Sequence, residues 1–494
     1  MIMPSPRCAF LLTALLLLHP LGAQEEEESE LTLQESLLQL TTLADRGNPS
    51  AQLVLSKWYS SGANGLGKDE KLAFSWALKA AEQGLSEAAY RVAISYAKGI
   101  GTERSAEQAA HWLIAAADAG HPTACYELAL LYLEGNAVEK DERLAFTYML
   151  RAAEAGLPGA QTDTGFFYLR GIGVQADTAK GIEWTQRAID QGHAHAMSNM
   201  AEIYFNGIGV PQDAAEGVRW RIMAAEHNHT KAQLLLAAQY YHGQGVQKDL
   251  QQWLYWTRAA AAAGDPQALH NLGANYMKGL VSARNPELAA AFFRQAAAQG
   301  DADSLYALAL QYKNGIGVEK NCEEAAQLLR RAAEQGKTEA HLHLGELLVN
   351  GQAHAIEQDE ARKHLLPLEQ PKAQYLLGFG YLEGAGGLPK DEPLGLQWVR
   401  RAADHGHVPA QTLLGICDLH GRGTEKNPTE AARFLRLAAD SGDAHALFLL
   451  GCAFLSGELG TVDKEQAIFW LEKAAAAGHS QAAPLLSRLR SELQ

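Results

Sequence analysis

The sequence predicts an all-α fold, a solenoid of about twelve helix-turn-helix repeats. Three observations carry this. Gly99, Gly135, Gly171, Gly207, Gly243, Gly279, Gly315 and Gly351 lie 36 residues apart, each from the next. Small residues and a tyrosine recur at helical spacing ahead of these glycines. A good helix-capping residue stands fifteen positions before a second recurring glycine in most repeats. One such unit cannot bury its own apolar face, so neighbours must stack, and a single core can run through the array.

Helix A comes first. Counting its first alanine as position zero, that position is Ala51, Ala88, Ala124, Ala160, Ala196, Ala232, Ala268, Ala340, Ala373, Ala410 and Ala446, with Ser304 in the remaining repeat. Position five is small, as in Ala93, Gly165 and Gly273, and position eight is usually tyrosine, as in Tyr59, Tyr96 and Tyr132. Offsets of zero, four, five and eight form one helical face. Small residues there let a second helix approach, and the tyrosine ring fills the space beside them. A glycine three residues later suits a left-handed helix end. Gly-x-Gly-Val turns follow in several units.

Helix B then starts at Asp69, Ser105, Asp141, Asp177, Asp213, Asp249, Asn285, Asn321, Asp391, Asn427 or Asp463. Each can accept a bond from a free backbone N–H of the first turn. An aromatic residue stands seven positions on, as in Trp76, Trp112 and Trp184. The helix closes on Ala-Ala-x-x-Gly, as at Gly84, Gly120 and Gly156. Caps, periodicity and stops agree on two helices per unit.

These residues follow the pattern A-x3-L-G-x2-Y-x2-G-x-G-V, then D-x3-A-x2-W-x3-A-A-x2-G, from about Ala51 to Gly478. The pattern resembles the Sel-1-like repeats, relatives of the tetratricopeptide repeats. The resemblance implies a right-handed α/α superhelical solenoid that serves as a scaffold or adaptor for other macromolecules. It implies no reaction and no cofactor.

The ends have their own logic. Arg7 precedes an apolar run from Cys8 to Leu18, Pro20 breaks the run, and Ala23 offers a small residue before a cut. Residues 1–23 read as a signal peptide cleaved after Ala23, which sends the chain to the periplasm or outside the cell. No apolar run is long enough to span a membrane. Residues 24–30 form an acidic leader, 31–50 a capping half-repeat, 51–336 repeats one to eight, 337–372 a degenerate repeat nine, 373–478 repeats ten to twelve, and 479–494 a capping helix. Cys125, Cys322, Cys417 and Cys452 read as free thiols, with a Cys417–Cys452 bridge the pairing left open. The net charge of −15 argues against nucleic acid, which needs a basic stripe.

Several motifs could carry chemistry. His193/His195, His227/His229, His341/His343 and His405/His407 have metal-binding spacing. His121, His193, His229, His407 and His479 follow the closing glycine or its substitute, which makes histidine a turn residue, and no metal site is assigned. Ser95 and Lys98 fit the serine–lysine spacing of penicillin-recognising enzymes, but the companion motifs are absent and the pair falls inside the repeat pattern. The Gly-x-Gly turns lack the preceding strand of a phosphate loop.

Two features depart from the core pattern. Repeat nine has lost its Ala-Ala-x-x-Gly close and carries Pro367, which should end or kink its second helix. Coupling between neighbours is expected to be poorest between about 353 and 373, making this a hinge. A second apolar stripe runs along helix A at positions two, six and nine, and either packs on neighbouring repeats or lines the binding face. Tyr90, Tyr126, Phe166, Phe205 and Tyr241, with Arg170 and His242 as polar handles, are the candidate partner-binding residues. The expected function is that of an exported, non-enzymatic monomer that scaffolds a protein or peptide partner. Two alternatives stand beside it: a cell-envelope hydrolase of penicillin-recognising type, and a eukaryotic endoplasmic-reticulum quality-control adaptor. For the second, Asn228-His229-Thr230 is a glycosylation sequon, but no retention signal or membrane anchor supports that address.

Overall fold

The computed structural model describes residues 35–135 and 137–493. The expected signal peptide, the acidic leader and the first residues of the half-repeat lie outside the described residues. Those described form 26 α-helices and no strand. Helix α1 covers 35–45. From there even-numbered helices are helix A of a repeat and odd-numbered ones helix B.

The chain divides into two compact units, Met1–Leu236 with Gly243–Gln247 and Ala237–His242 with Lys248–Gln494. In the first, the repeats run α2 (Pro49–Ser61), α3 (Glu70–Glu82), α4 (Ser86–Lys98), α5 (Ala106–Asp118), α6 (Pro122–Glu134), α7 (Glu142–Glu154), α8 (Pro158–Arg170), α9 (Thr178–Asp190), α10 (Ala194–Asn206) and α11 (Ala214–Glu226). The division falls within α12 (Thr230–His242). The second unit continues with α13 (Leu250–Ala262), α14 (Pro266–Lys278), α15 (Pro286–Ala298), α16 (Ala302–Asn314), α17 (Cys322–Glu334), α18 (Thr338–Val349), α19 (Glu360–Leu365), α20 (Pro371–Glu383), α21 (Glu392–Asp404), α22 (Val408–His420), α23 (Pro428–Asp440), α24 (Ala444–Ser456), α25 (Lys464–Ala476) and α26 (Ala482–Leu493).

Helix A begins two residues before the alanine that marks its position zero. Proline occupies its first turn in α2, α6, α8, α14 and α20, where a missing N–H costs nothing. The expected helix B caps are all in place. Asp141, for example, accepts from the backbone N–H groups of Arg143 and Leu144 at 2.8 and 3.0 Å. The position-eight tyrosine also does more than fill space. Its carbonyl accepts the N–H of the helix B cap, as in Asp141 to Tyr132 and Asp177 to Tyr168 at 3.0 and 2.9 Å. This bond fixes where the second helix starts relative to the first.

The close approach of the two helices explains the small position five. A Cβ on Gly165 would lie 2.6 Å from Thr185 Oγ1 and 2.9 Å from the Gly181 carbonyl, both on helix B of the same repeat. The Gly-x-Gly turns divide their labour. The first glycine, such as Gly171, is the left-handed end of helix A (φ +69°). The second, such as Gly173, lies against the preceding repeat, where an added Cβ would meet the Glu142 carbonyl oxygen at 1.8 Å. The turn is therefore part of the joint between repeats.

Repeat nine is degenerate in structure as well as sequence. Its helix B, α19, is cut to six residues and runs into a 3-10 turn, Leu366–Leu368, that contains Pro367. Asp359 and Glu369 on either side take left-handed backbone conformations (φ +61° and +50°). The segment is nonetheless anchored. Glu360, only 4% exposed, receives Arg330 Nε from α17 at 2.6 Å and the Ile356 N–H at 2.6 Å. His364 faces His341 on α18 with 2.9 Å between their Nδ1 atoms. The Asp359 and Ala361 N–H groups bond the Gly387 and Gly386 carbonyls of repeat ten. A buried apolar cluster runs from Ala289 through Leu365 to Leu388. The four described cysteines are free, Cys417 and Cys452 among them.

Candidate partner-binding cleft

The second stripe of helix A does not form one surface. Position two reaches forward to the next repeat. Tyr90 stacks on His121 at 4.5 Å between ring centres and donates its hydroxyl to Glu127 Oε1 at 2.7 Å. Tyr126 donates to Asp163 Oδ2 at 2.9 Å in the same way. In the second unit Tyr375 meets His407 and Phe448 meets His479 in the same register. Position nine turns instead toward helix B of its own repeat. Phe205 lies beneath the Arg221 guanidinium at 4.3 Å and over Gly217, and Tyr241 packs against Trp253 at 5.6 Å with His242 edge-on at 5.0 Å. Position six is free of such cover at Phe166, which is 41% exposed with Arg170 5.7 Å away.

Of the seven candidates, Tyr90 lines a sizeable cleft. This cleft, of about 630 Å³, lies on α2, α4 and α6 in the first unit. Ala73, Phe74 and Ala77 of α3 make its apolar floor. Tyr90, Arg91, Ile94, Ser95 and Lys98 enter from α4 because offsets of three, four and seven repeat one helical face. Tyr126 belongs to the next repeat along, and Tyr241 and His242 belong to the second unit.

The charges of the cleft are arranged by the helix A cap. His121 Nδ1 accepts the Ala124 N–H at 3.2 Å, which caps α6 and places the ring proton on Nε2. That N–H donates to Glu87 at 3.0 Å, and Lys57 reaches the same carboxylate at 3.2 Å. Burial works against the Glu87 charge, but the bonds from His121 and Lys57 outweigh it and hold the carboxyl below its ordinary range. Burial first, then the Glu127 carboxylate, push the Tyr90 phenol well above its usual range, so it stays a donor. Burial and Asp163 likewise push Tyr126 up to about 12.

Arg91, Glu87 and Glu127 went unnoticed in the sequence because positions −1 and three carry no repeat signature. Lys98 was within reach: it holds position ten, the position of Arg170 and His242. Ser95 and Lys98 both line the cleft, one helical turn apart. Two of the histidines suspected of metal chemistry act as caps, while His193 bonds Thr162 and His341 bonds His364. Like His121, His229 and His407 accept a helix A backbone N–H through Nδ1. No group of three or more His, Cys, Asp or Glu among the described residues is placed to hold a metal ion. No helix among them is long and apolar enough to cross a membrane.

The Sel1 repeat profile matches residues 49–85, 86–121, 122–157, 158–193, 194–229, 230–265, 266–301, 302–337, 371–407, 408–443 and 444–479. It passes over repeat nine. Among solved structures, the chain is similar to a protective antigen present in uropathogenic Escherichia coli strains that displays an SLR fold. The two are 30% identical over 92% of this chain and 97% of that one, with a TM-score of 0.50. It is also similar to a Sel1 repeat protein from Oxalobacter formigenes, at 29% identity over 63% of this chain and 91% of that one, with a TM-score of 0.54. No curated protein matches the chain.

Proposed function

The chain belongs to the Sel1 repeat family, and from that premise we propose that it is an exported, non-enzymatic scaffold that holds a protein or peptide partner in the cleft of its first three repeats. Sel1 repeat proteins are generally protein-interaction scaffolds. The observation that carries this reading is the cleft itself, a concave site with an apolar floor, an aromatic wall at Tyr90 and a charged rim. Export rests on the signal-peptide pattern of residues 1–23, and the similar Escherichia coli protein's description as a protective antigen fits that address. The test is a crosslinking pull-down of the mature chain from its own envelope. Tyr90→Ala is expected to lower capture about tenfold, the loss typical of an interface anchor. Tyr90→Phe keeps the ring against His121 and serves as the folding control. Undiminished capture by a folded Tyr90→Ala chain sinks the assignment.

A second reading, a hydrolase of penicillin-recognising type, draws on Ser95 and Lys98 sharing the cleft. The expected result is no nitrocefin turnover by the wild-type chain. Turnover that vanishes in Ser95→Ala with the fold intact would make this an enzyme.

A further inference from the structure

We infer that the cleft on α2, α4 and α6 takes an extended acidic peptide segment, bound by Arg91 and Lys98. This rests on the scaffold reading and names the partner's chemistry. The argument starts from the balance of charge inside the cleft. Glu87 is paired with Lys57 and bonded by His121, and Glu70 is paired with Lys68 at 2.8 Å, while Glu127 accepts the neutral Tyr90 hydroxyl and keeps its single negative charge. Arg91 and Lys98 line the same cleft, and neither pairs with a carboxylate of the described residues. The cleft thus keeps two uncommitted cations on a chain whose net charge is −15.

A cation left unpaired in a concave, partly apolar site is a recognition element for a carboxylate, and Arg91 offers the planar fork that holds one in two bonds. Spacing adds specificity. Arg91 and Lys98 are seven residues apart on α4, which is about 10 Å along a helix. A polyproline-type segment brings residues three apart onto one side at about 9 Å. Two acidic residues separated by two others would therefore reach both cations. The side chains between them would meet Ile94 and the floor at Phe74.

The experiment is fluorescence anisotropy of a labelled proline-rich peptide with two glutamates three residues apart, titrated with the mature chain. Matched peptides carry glutamine or lysine at both sites. The glutamate peptide should bind, the glutamine peptide at least tenfold more weakly, and the lysine peptide not at all. Arg91→Gln together with Lys98→Gln, both on an open face of α4, should remove the preference for glutamate without changing helix content. Raising salt should weaken binding, because such partly exposed charges are screened beyond about 8 Å at physiological ionic strength. Equal binding of the glutamate and glutamine peptides overturns the proposal, as does a double variant that still prefers glutamate. Binding that appears only when glutamates 25–28 and 30 are replaced by glutamine assigns the cleft to the chain's own leader and also overturns it. If Tyr90-dependent capture from the envelope survives while every peptide arm fails, the scaffold reading stands and the acidic partner falls. If that capture fails as well, the scaffold reading falls with it.

Discussion

Gly173→Ala is expected to destabilise the first unit by about 3 kcal/mol or more, as a forced overlap added to a disfavoured backbone conformation. Its φ is +66°, and the new Cβ would lie 1.8 Å from the Glu142 carbonyl oxygen and 3.1 Å from the Arg143 nitrogen. Those are backbone atoms of the first turn of α7, so no side chain can swing aside. The joint between repeats three and four must open. Gly156→Ala is the matched control. It too has a left-handed backbone (φ +92°), but its Cβ would meet nothing within 4 Å, so a loss of only about 1 kcal/mol is expected. Denaturant midpoints of the two variants check this. Equal losses would mean that backbone conformation alone, and not the inter-repeat contact, demands the second glycine.

Glu360→Gln is expected to release repeat nine, at a cost on the order of 3 kcal/mol, because it strands a buried arginine. The Arg330 side chain is 13% exposed and the Glu360 side chain 5%, and Glu360 also holds the Ile356 N–H. The same segment should respond to acid. Burial opposes the Glu360 charge, but Arg330 and the Ile356 N–H outweigh it and hold the carboxyl below its ordinary range. Its contribution is present above about pH 4.5 and is lost as pH falls through the lowered value.

His364 acts in the same direction. Burial first, and then His341, lower it from 6.5 to about 4. The folded form therefore keeps the ring neutral while the released form takes up a proton, so this stability fades as pH falls from 6.5 toward 4. Glu360 opposes that shift, and Lys363 and Arg330 reinforce it. On α20, burial first raises the Tyr381 phenol, with Arg362 opposing and Asp359 adding to the shift. Two charged rings could not share the 2.9 Å contact between His341 and His364, since one Nδ1 must accept. Hydrogen-exchange protection of residues 354–370, taken relative to the intrinsic rate at each pH, should fall between pH 7 and pH 4.5 more than that of α6 to α9, and His364→Gln should flatten the difference. Uniform protection at both pH values would end the idea of a conditional hinge here.

The helices and their ends were legible in the order of residues alone. Asp69, Asp141 and Asn285 cap helix B, the position-zero alanines are buried, and glycines such as Gly99 and Gly171 terminate helix A, all as read from the repeat. These features are local: a cap bonds within three residues, and a helical face is set by spacing within a few turns. A period of 36 residues then averages the signal over the array. It also exposed repeat nine, where Pro367 and the missing close broke the pattern.

What each repeat does to the next emerges only when the repeats pack. Position two was a stripe in sequence, and became a link to the following repeat because Tyr90 spans to Glu127 and Tyr126 to Asp163. Phe205, on the same face, turned inward because Gly217 leaves room for its ring. The second glycine of the turn looked like turn chemistry, and its cause lies about thirty residues back, at the start of the preceding helix B. The cleft was invisible for the same reason. Whether Arg91 and Lys98 are free depends on where Glu87 and Glu127 find their partners, and those partners sit on neighbouring repeats. A repeat pattern records which residue types recur. It does not record which side chain reaches across the joint, because that is set by the packing of one repeat on another.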